Sequence, residues 1–199
     1  MNLATRQSVI RLFAAVTEAL ARSTWALLDD DAELGRSVVD GDADIDDQVA
    51  ALERALWTQV DETAGGSQDM RPLVALLLVL PELERSADLA EHIAQRAVNH
   101  LGSRMSPVSR GIVERMSEVA IEMWKATADA FAEGTSAQLE LHETDEELDI
   151  LHDRLTAEVA TGSMDLPVAA QVTLIARFYE RLGDHAVNLS RRMPSAPAA

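Results

Sequence analysis

Two short acidic signatures, Glu84-Arg85-Ser86-Ala87-Asp88 and Glu180-Arg181-Leu182-Gly183-Asp184, stand 96 residues apart in the chain. On a helix, a glutamate and an aspartate four positions apart lie one turn from each other on the same face, with Cβ atoms roughly 6 Å apart, so the pair can share a cation. Spacing alone is a weak signal in a chain with 34 acidic residues: Glu114/Glu118, Glu118/Glu122 and Asp129/Glu133 show it too. Register separates the two signatures from these. Leu76, Val79, Leu83, Ala90 and Ile93 fall opposite Val172, Ile175, Tyr179, Ala186 and Leu189. Both segments therefore carry the same apolar stripe, with the carboxylates displaced from it by one residue, as a surface site requires.

A second set of acids repeats with the first. Asp42-Ala43-Asp44-Ile45-Asp46 corresponds to Asp145-Glu146-Glu147-Leu148-Asp149, so each half of the chain offers one Asp-x-x-x-Asp and one Glu-x-x-x-Asp. If the two segments in each half are antiparallel neighbours, four carboxylates converge: Asp42, Asp46, Glu84 and Asp88 in one half, Asp145, Asp149, Glu180 and Asp184 in the other. Unpaired carboxylates held together repel one another and raise their own pKa values unless a proton or a cation intervenes. A multivalent metal is the economical solution. Oxygen-only ligation favours magnesium, calcium, manganese or iron over a structural zinc. His185, beside Asp184, and His142, three residues before Asp145, could add nitrogen. The bland alternative is a solvated acidic face paired with Arg85 and Arg181. His92, His100 and His152 read as ordinary surface or edge histidines.

The elements that position these acids are helices, because apolar residues recur at alternating steps of three and four in nearly every segment. Val9, Phe13, Val16 and Leu20 mark the first, broken at Asp29-Asp30-Asp31. Ile45, Val49, Leu52 and Leu56 mark the second, entered through the acidic stretch Asp40 to Asp47 and stopped at Gly65-Gly66-Ser67. Pro72 suits the first turn of a third helix running to about His100, in which Pro81 removes one hydrogen bond and is expected to kink the axis. Gly102 to Pro107 is the expected boundary between halves. Ile112, Met116, Val119 and Met123 mark a fourth helix ending near Gly134. Leu141, Leu148, Leu151 and Leu155 mark a fifth, and Pro167 opens a sixth. The expectation is an all-α chain of six long antiparallel helices, an internal duplication forming two tandem three-helix bundles at residues 1–103 and 104–193. Residues 194–199 are expected to be a disordered tail. Trp25, Trp57 and Trp124 are expected to cap the bundle cores.

Composition narrows the function classes. A formal net charge of −17 argues against nucleic acid and against direct contact with anionic membranes, since both need clustered cations. With no cysteine there are no disulfides, thiolate sites or Cys nucleophiles. Polar Thr5, Arg6, Gln7 and Ser8 stand where a secretion signal would be apolar, and Leu73 to Leu80 is far short of the ~20 residues needed to span a bilayer. A cytoplasmic protein without membrane insertion is expected. No glutamate is followed three residues later by histidine, as ferritin-like oxidases require, and no Gly-rich phosphate loop or nucleophile set is present. An enzyme is not expected.

Glu180-Arg181-Leu182-Gly183-Asp184-His185-Ala186-Val187-Asn188 resembles the characteristic motif of the PhoU family, regulators associated with bacterial phosphate-specific transport, and Glu84 to Asp88 resembles a looser copy. The resemblance covers nearly the whole chain and implies a tandem pair of three-helix bundles. It implies a cytoplasmic adaptor that represses the phosphate-starvation response by contacting a sensor histidine kinase and the transporter's ATPase, with a homodimer as a possible form. It also implies metal ions, iron or zinc among them, on Glu84, Asp88, Glu180 and Asp184, with Asp42, Asp46, Asp145 and Asp149 as accompanying acids. Pro81-Glu82 and Ser86-Ala87 depart from the motif, so the second site is expected to be the better formed. A metal-free helical scaffold for another transporter is the alternative.

Overall fold

Each helix start and stop has a local cause. In the computed structural model, which describes residues 2–63 and 69–193, α1 spans Leu3–Asp29. One of its free N–H groups, that of Thr5, is met by the Asn2 side chain, which accepts from it. It ends where Asp30 turns left-handed at φ 55°. Asp31 then caps the next helix, its carboxylate accepting from the N–H groups of Glu33 and Leu34 at 3.0 and 2.9 Å. The break at the three aspartates is thus a tight reversal, and α2 runs over Ala32–Thr63. The acidic stretch Asp40 to Asp47 lies inside α2 rather than at its entrance, because the Asp31 cap starts the helix a full two turns earlier. The expected stop at Gly65-Gly66-Ser67 and the tail 194–199 lie outside the described residues.

Helix α3 spans Arg71–Val98 with Pro72 in its first turn and Pro81 inside it. A 3₁₀ turn, Gly102–Arg104, leads to α4 over Pro107–Glu133, where Ser106 caps the start and Gly134, at φ 73°, closes the end. Helix α5 spans Gln138–Ala160 and α6 spans Leu166–Arg192. Helices α1 to α3 pack on one another, as do α4 to α6, and the two bundles meet where α1 lies against α4 and α3 against α6. Among the described residues no helix is long and apolar enough to cross a membrane.

One hydrophobic core runs through both bundles. Phe13 of α1 packs against Trp124 and Phe131 of α4, with ring centroids 5.9 and 6.2 Å away. The Trp124 indole N–H donates to the Leu182 carbonyl at 3.1 Å. Thr24, Ser117 and Tyr179, one from each of α1, α4 and α6, share a buried hydroxyl chain, 2.5 Å from Thr24 to Tyr179 and 3.0 Å from Ser117 to Thr24. Burial pushes the Tyr179 phenol up to about 12, so it stays a neutral donor. Trp124 belongs to the core as expected, whereas Trp25 and Trp57 are 66% and 52% exposed and cap nothing. Their position on the helices, not their size, decides this.

The junction between halves is tied down by backbone. Arg110 donates to the carbonyls of Gly102, at 2.8 Å, and Leu28. A Cβ added at Gly102 would sit 1.8 Å from the Leu27 carbonyl oxygen. Only glycine lets the turn lie this close to the end of α1.

Candidate metal centre

Antiparallel packing of α2 on α3 brings Asp42, Asp46 and Asp88 together. Each offers a carboxylate oxygen, and these oxygens lie within 4.8 Å of one another. Among the described residues this is the one group of three or more acids or histidines placed so closely. Asp42 and Asp88 are half-buried and Asp46 is exposed. Burial, followed by the charges of Asp46, Asp88, Glu91 and Glu84, pushes the Asp42 carboxyl from 3.8 up to about 6. Glu84 stands exposed beside the trio and acts on it through its charge. The donor set is all oxygen, partly desolvated and mutually repulsive, so it fits a hard cation.

The second half places Asp145, Asp149, Glu180 and Asp184 in the same region of α5 and α6, but more loosely. Burial and the charges of Asp149, Asp184 and Glu180 push Asp145 up to about 6, opposed by His142. Two side chains account for the difference. Glu180 is drawn into an ion pair with Arg177, one turn earlier on the same helix. Asp145 leans over Gly183, its Oδ1 2.8 Å from where a Cβ would sit, with Leu148 Cδ2 at 2.6 Å. The repeat equivalent of Gly183 is Ala87, so the first half carries a methyl at this position of the register. The closer convergence therefore falls in the first half, the reverse of the expectation drawn from the departures at Pro81 and Ser86.

His185 does not face the carboxylates. It is 6% exposed in the seam between α3 and α6, where its Nδ1 is 2.8 Å from the Ser86 hydroxyl and its Nε2 3.4 Å from a Glu82 carboxylate oxygen. Ser86 also donates to the Glu82 carbonyl at 2.6 Å, and Arg192 lies 3.6 Å from the Glu82 carboxylate. Asp184 points out of the helix and its neighbour, 100° further round, points into the seam. His142 pairs loosely with Glu146, 3.9 Å away. His100 pairs with Asp30 at 3.2 Å, and His92 stacks on Phe178 with centroids 5.5 Å apart. Sequence reasoning misses the Glu82–Ser86–His185 cluster as a unit, although its signal is present. Glu82 and Ser86 are the polar residues that replace, in the first repeat, the positions held by Phe178 and Leu182 in the second.

The PhoU domain matches residues 9–97 and 113–193, one copy on each bundle. The chain belongs to the PhoU family. It is 24% identical over 189 residues to the phosphate-specific transport system accessory protein PhoU of Edwardsiella tarda, covering 92% of this chain and 77% of that protein. The PhoU homologue of Aquifex aeolicus is 30% identical over 183 residues, with 89% and 82% covered. Homologue 2 of Mycobacterium tuberculosis is 28% identical over 179 residues, with 88% and 84% covered. Among solved structures, PhoU from Pseudomonas aeruginosa superposes with a TM-score of 0.86 at 22% identity, covering 95% of this chain and 93% of that one. The phosphate transport system regulatory protein PhoU from Streptococcus pneumoniae gives 0.84 at 20% identity, covering 95% and 91%. These two fix the fold as the tandem three-helix arrangement of PhoU.

Proposed function

We propose that this PhoU-family chain is a cytoplasmic adaptor, without catalytic activity, that restrains phosphate uptake and phosphate-starvation signalling when phosphate is plentiful. It does so by binding a sensor histidine kinase and the ATPase of a phosphate transporter. Family membership over both repeats supports the connection to phosphate transport, since the relatives are named accessory proteins of that system. The convergence of Asp42, Asp46 and Asp88 carries the metal part of the reading. A cation there would be held by these three, with Glu84 adjacent; Asp145, Asp149, Asp184 and Glu180 are the corresponding ligands of the second half. Iron, manganese, magnesium, calcium or zinc with added water ligands would each supply the same thing, neutralisation of the acids and a tie between neighbouring helices. This function needs no substrate pocket, only a rigid surface.

Elemental mass spectrometry of untagged protein tests the metal, comparing the wild type with Asp42→Ala/Asp88→Ala and Glu180→Ala/Asp184→Ala. The expected result is metal in the wild type, the larger loss in the first variant, and retained helicity in both. Equal metal in all three would overturn the assignment. Co-purification of the wild type with the purified ATPase and kinase tests the adaptor. Failure to bind either, with metal bound, would count against that part alone.

A further inference from the structure

Helix α1 carries a second stripe besides the one that enters the core. Ile10, Ala14, Thr17, Ala21 and Leu28 step by four, three, four and seven residues and are partly or fully exposed. They line one wall of a groove whose other wall is α4, through Ile121, Lys125, Ala128 and Ala132, again at steps of four, three and four. The groove consists of two adjoining hollows of about 460 and 410 Å³ that share Ala21 and Ile121. From Ile10 to Leu28 it is about 27 Å long, five helical turns. Small residues on both walls let a third helix approach closely, and the heptad spacing is what a helix lying between two others requires. At one end Trp25 stands 66% exposed.

The charge around this groove selects the occupant. Glu18, Asp29, Glu114, Glu118 and Asp129 line it against Lys125, the single cation among the described lining residues. Arg22 and Arg115 reach Glu18 and Glu118 from outside, at 3.8 and 2.9 Å, and still leave the rim net negative. A second copy of a chain with net charge −17 would set acid against acid, and an anionic lipid surface would be repelled in the same way. We infer that the α1–α4 groove receives an amphipathic helix of about five turns from a partner protein, with leucine-like residues facing the groove and lysine or arginine along both flanks. This gives the chemistry of one partner in the adaptor reading and rests on that reading only for the existence of a partner.

An 18-residue helical peptide of leucine and lysine, with the same sequence carrying glutamate in place of lysine as its counterpart, tests the inference against the full-length protein by fluorescence anisotropy of labelled peptide. The lysine peptide is expected to bind and the glutamate peptide not. Glu18→Lys/Glu118→Lys/Asp129→Lys is expected to weaken binding by about tenfold or more, as loss of complementary charge at an interface does. Glu53→Lys/Asp61→Lys/Glu143→Lys, which removes the same charge from α2 and α5, is expected to change it by less than about threefold. Ala21→Arg, which fills the point where the two hollows join without removing an acid, is expected to abolish binding and serves if the triple variant unfolds. No binding of the lysine peptide, equal affinity for both peptides, or equal weakening by the two triple variants would overturn the proposal. None of these results depends on the kinase or the ATPase, so the proposed function stands or falls separately.

Discussion

Replacing Asp42 by asparagine in metal-free protein should raise its stability, against the usual direction for a partly buried polar substitution. Asp42 is pushed from 3.8 to about 6 by burial first and then by Asp46, Asp88, Glu91 and Glu84. Fully expressed, that displacement corresponds to about 3 kcal/mol. The side chain is only half-buried and its neighbours are wet, so screening reduces the effect to about 1 kcal/mol. The sign follows from where the proton sits. Between 3.8 and about 6 the folded chain holds a proton that the unfolded chain has released, so stability falls as pH rises through that window. Above it the full cost of a half-buried charge crowded by other carboxylates is present; below 3.8 it is gone. An asparagine side chain keeps the shape and removes the charge. With chelator at pH 7.5, Asp42→Asn should therefore melt about 2–4 °C above the wild type by circular dichroism, and at pH 3.5 the two should coincide. Adding manganese at about 100 times its dissociation constant should reverse the order, because the wild type gains about 2.7 kcal/mol from the ligand and the variant less. A variant that melts below the wild type at pH 7.5 in chelator, or gains equally at both pH values, would refute the reasoning.

Gly102→Ala should be severe. The new methyl meets a backbone oxygen at 1.8 Å, neither partner can turn aside, and a loss of about 3 kcal/mol or more should show as a lower denaturant midpoint. At Gly183 a new methyl crowds the side-chain ends of Leu148 and Asp145, at 2.6 and 2.8 Å, and touches Met123 Cε at an ordinary 3.6 Å. Gly183→Ala should leave the melting temperature within a few degrees while displacing Asp145, so metal titrated by calorimetry should change at the second site and not the first. His185→Ala should cost about 1–3 kcal/mol by leaving Ser86 and Glu82 without their partner in the seam, measured by urea unfolding. Burial holds the His185 imidazole below its usual 6.5, against the pull of Glu82. The His185 contribution should therefore fall as pH drops below about 6.5, opposite in sign to that of Asp42, so the wild type should lose stability relative to His185→Gln over that range.

The helices are legible in the sequence because each has a long three-and-four apolar pattern and marked ends: the three aspartates after α1, Ser106-Pro107 before α4, Gly134 after it. The start of α2 is not, because Asp31 caps it through an acid in a run of acids, where no single residue stands out. The grouping of Asp42 and Asp46 with Asp88 can be read from the repeat alone, since a shared register implies a shared neighbour. Its tightness cannot. That depends on whether Ala87 or Gly183 underlies the aspartate, and on Arg177 drawing Glu180 aside, contacts between side chains that spacing does not encode. His185 escapes for a simpler reason. Adjacent residues on a helix face directions 100° apart, so adjacency to Asp184 in the chain is not proximity to its site.

The contacts between bundles pair like with like: the first helix of one repeat lies on the first of the other, and third lies on third. That is the self-complementary contact of a twofold-symmetric dimer, here within a single polypeptide. Fusion releases such a pair from a constraint that binds any true dimer, in which every substitution is made twice. Here one copy can hold Ala87 and Glu82 while the other holds Gly183 and Phe178, and the seam can join a glutamate from one side to a histidine from the other. The asymmetry between the two carboxylate groups is the kind of specialisation that only the covalently joined form can inherit.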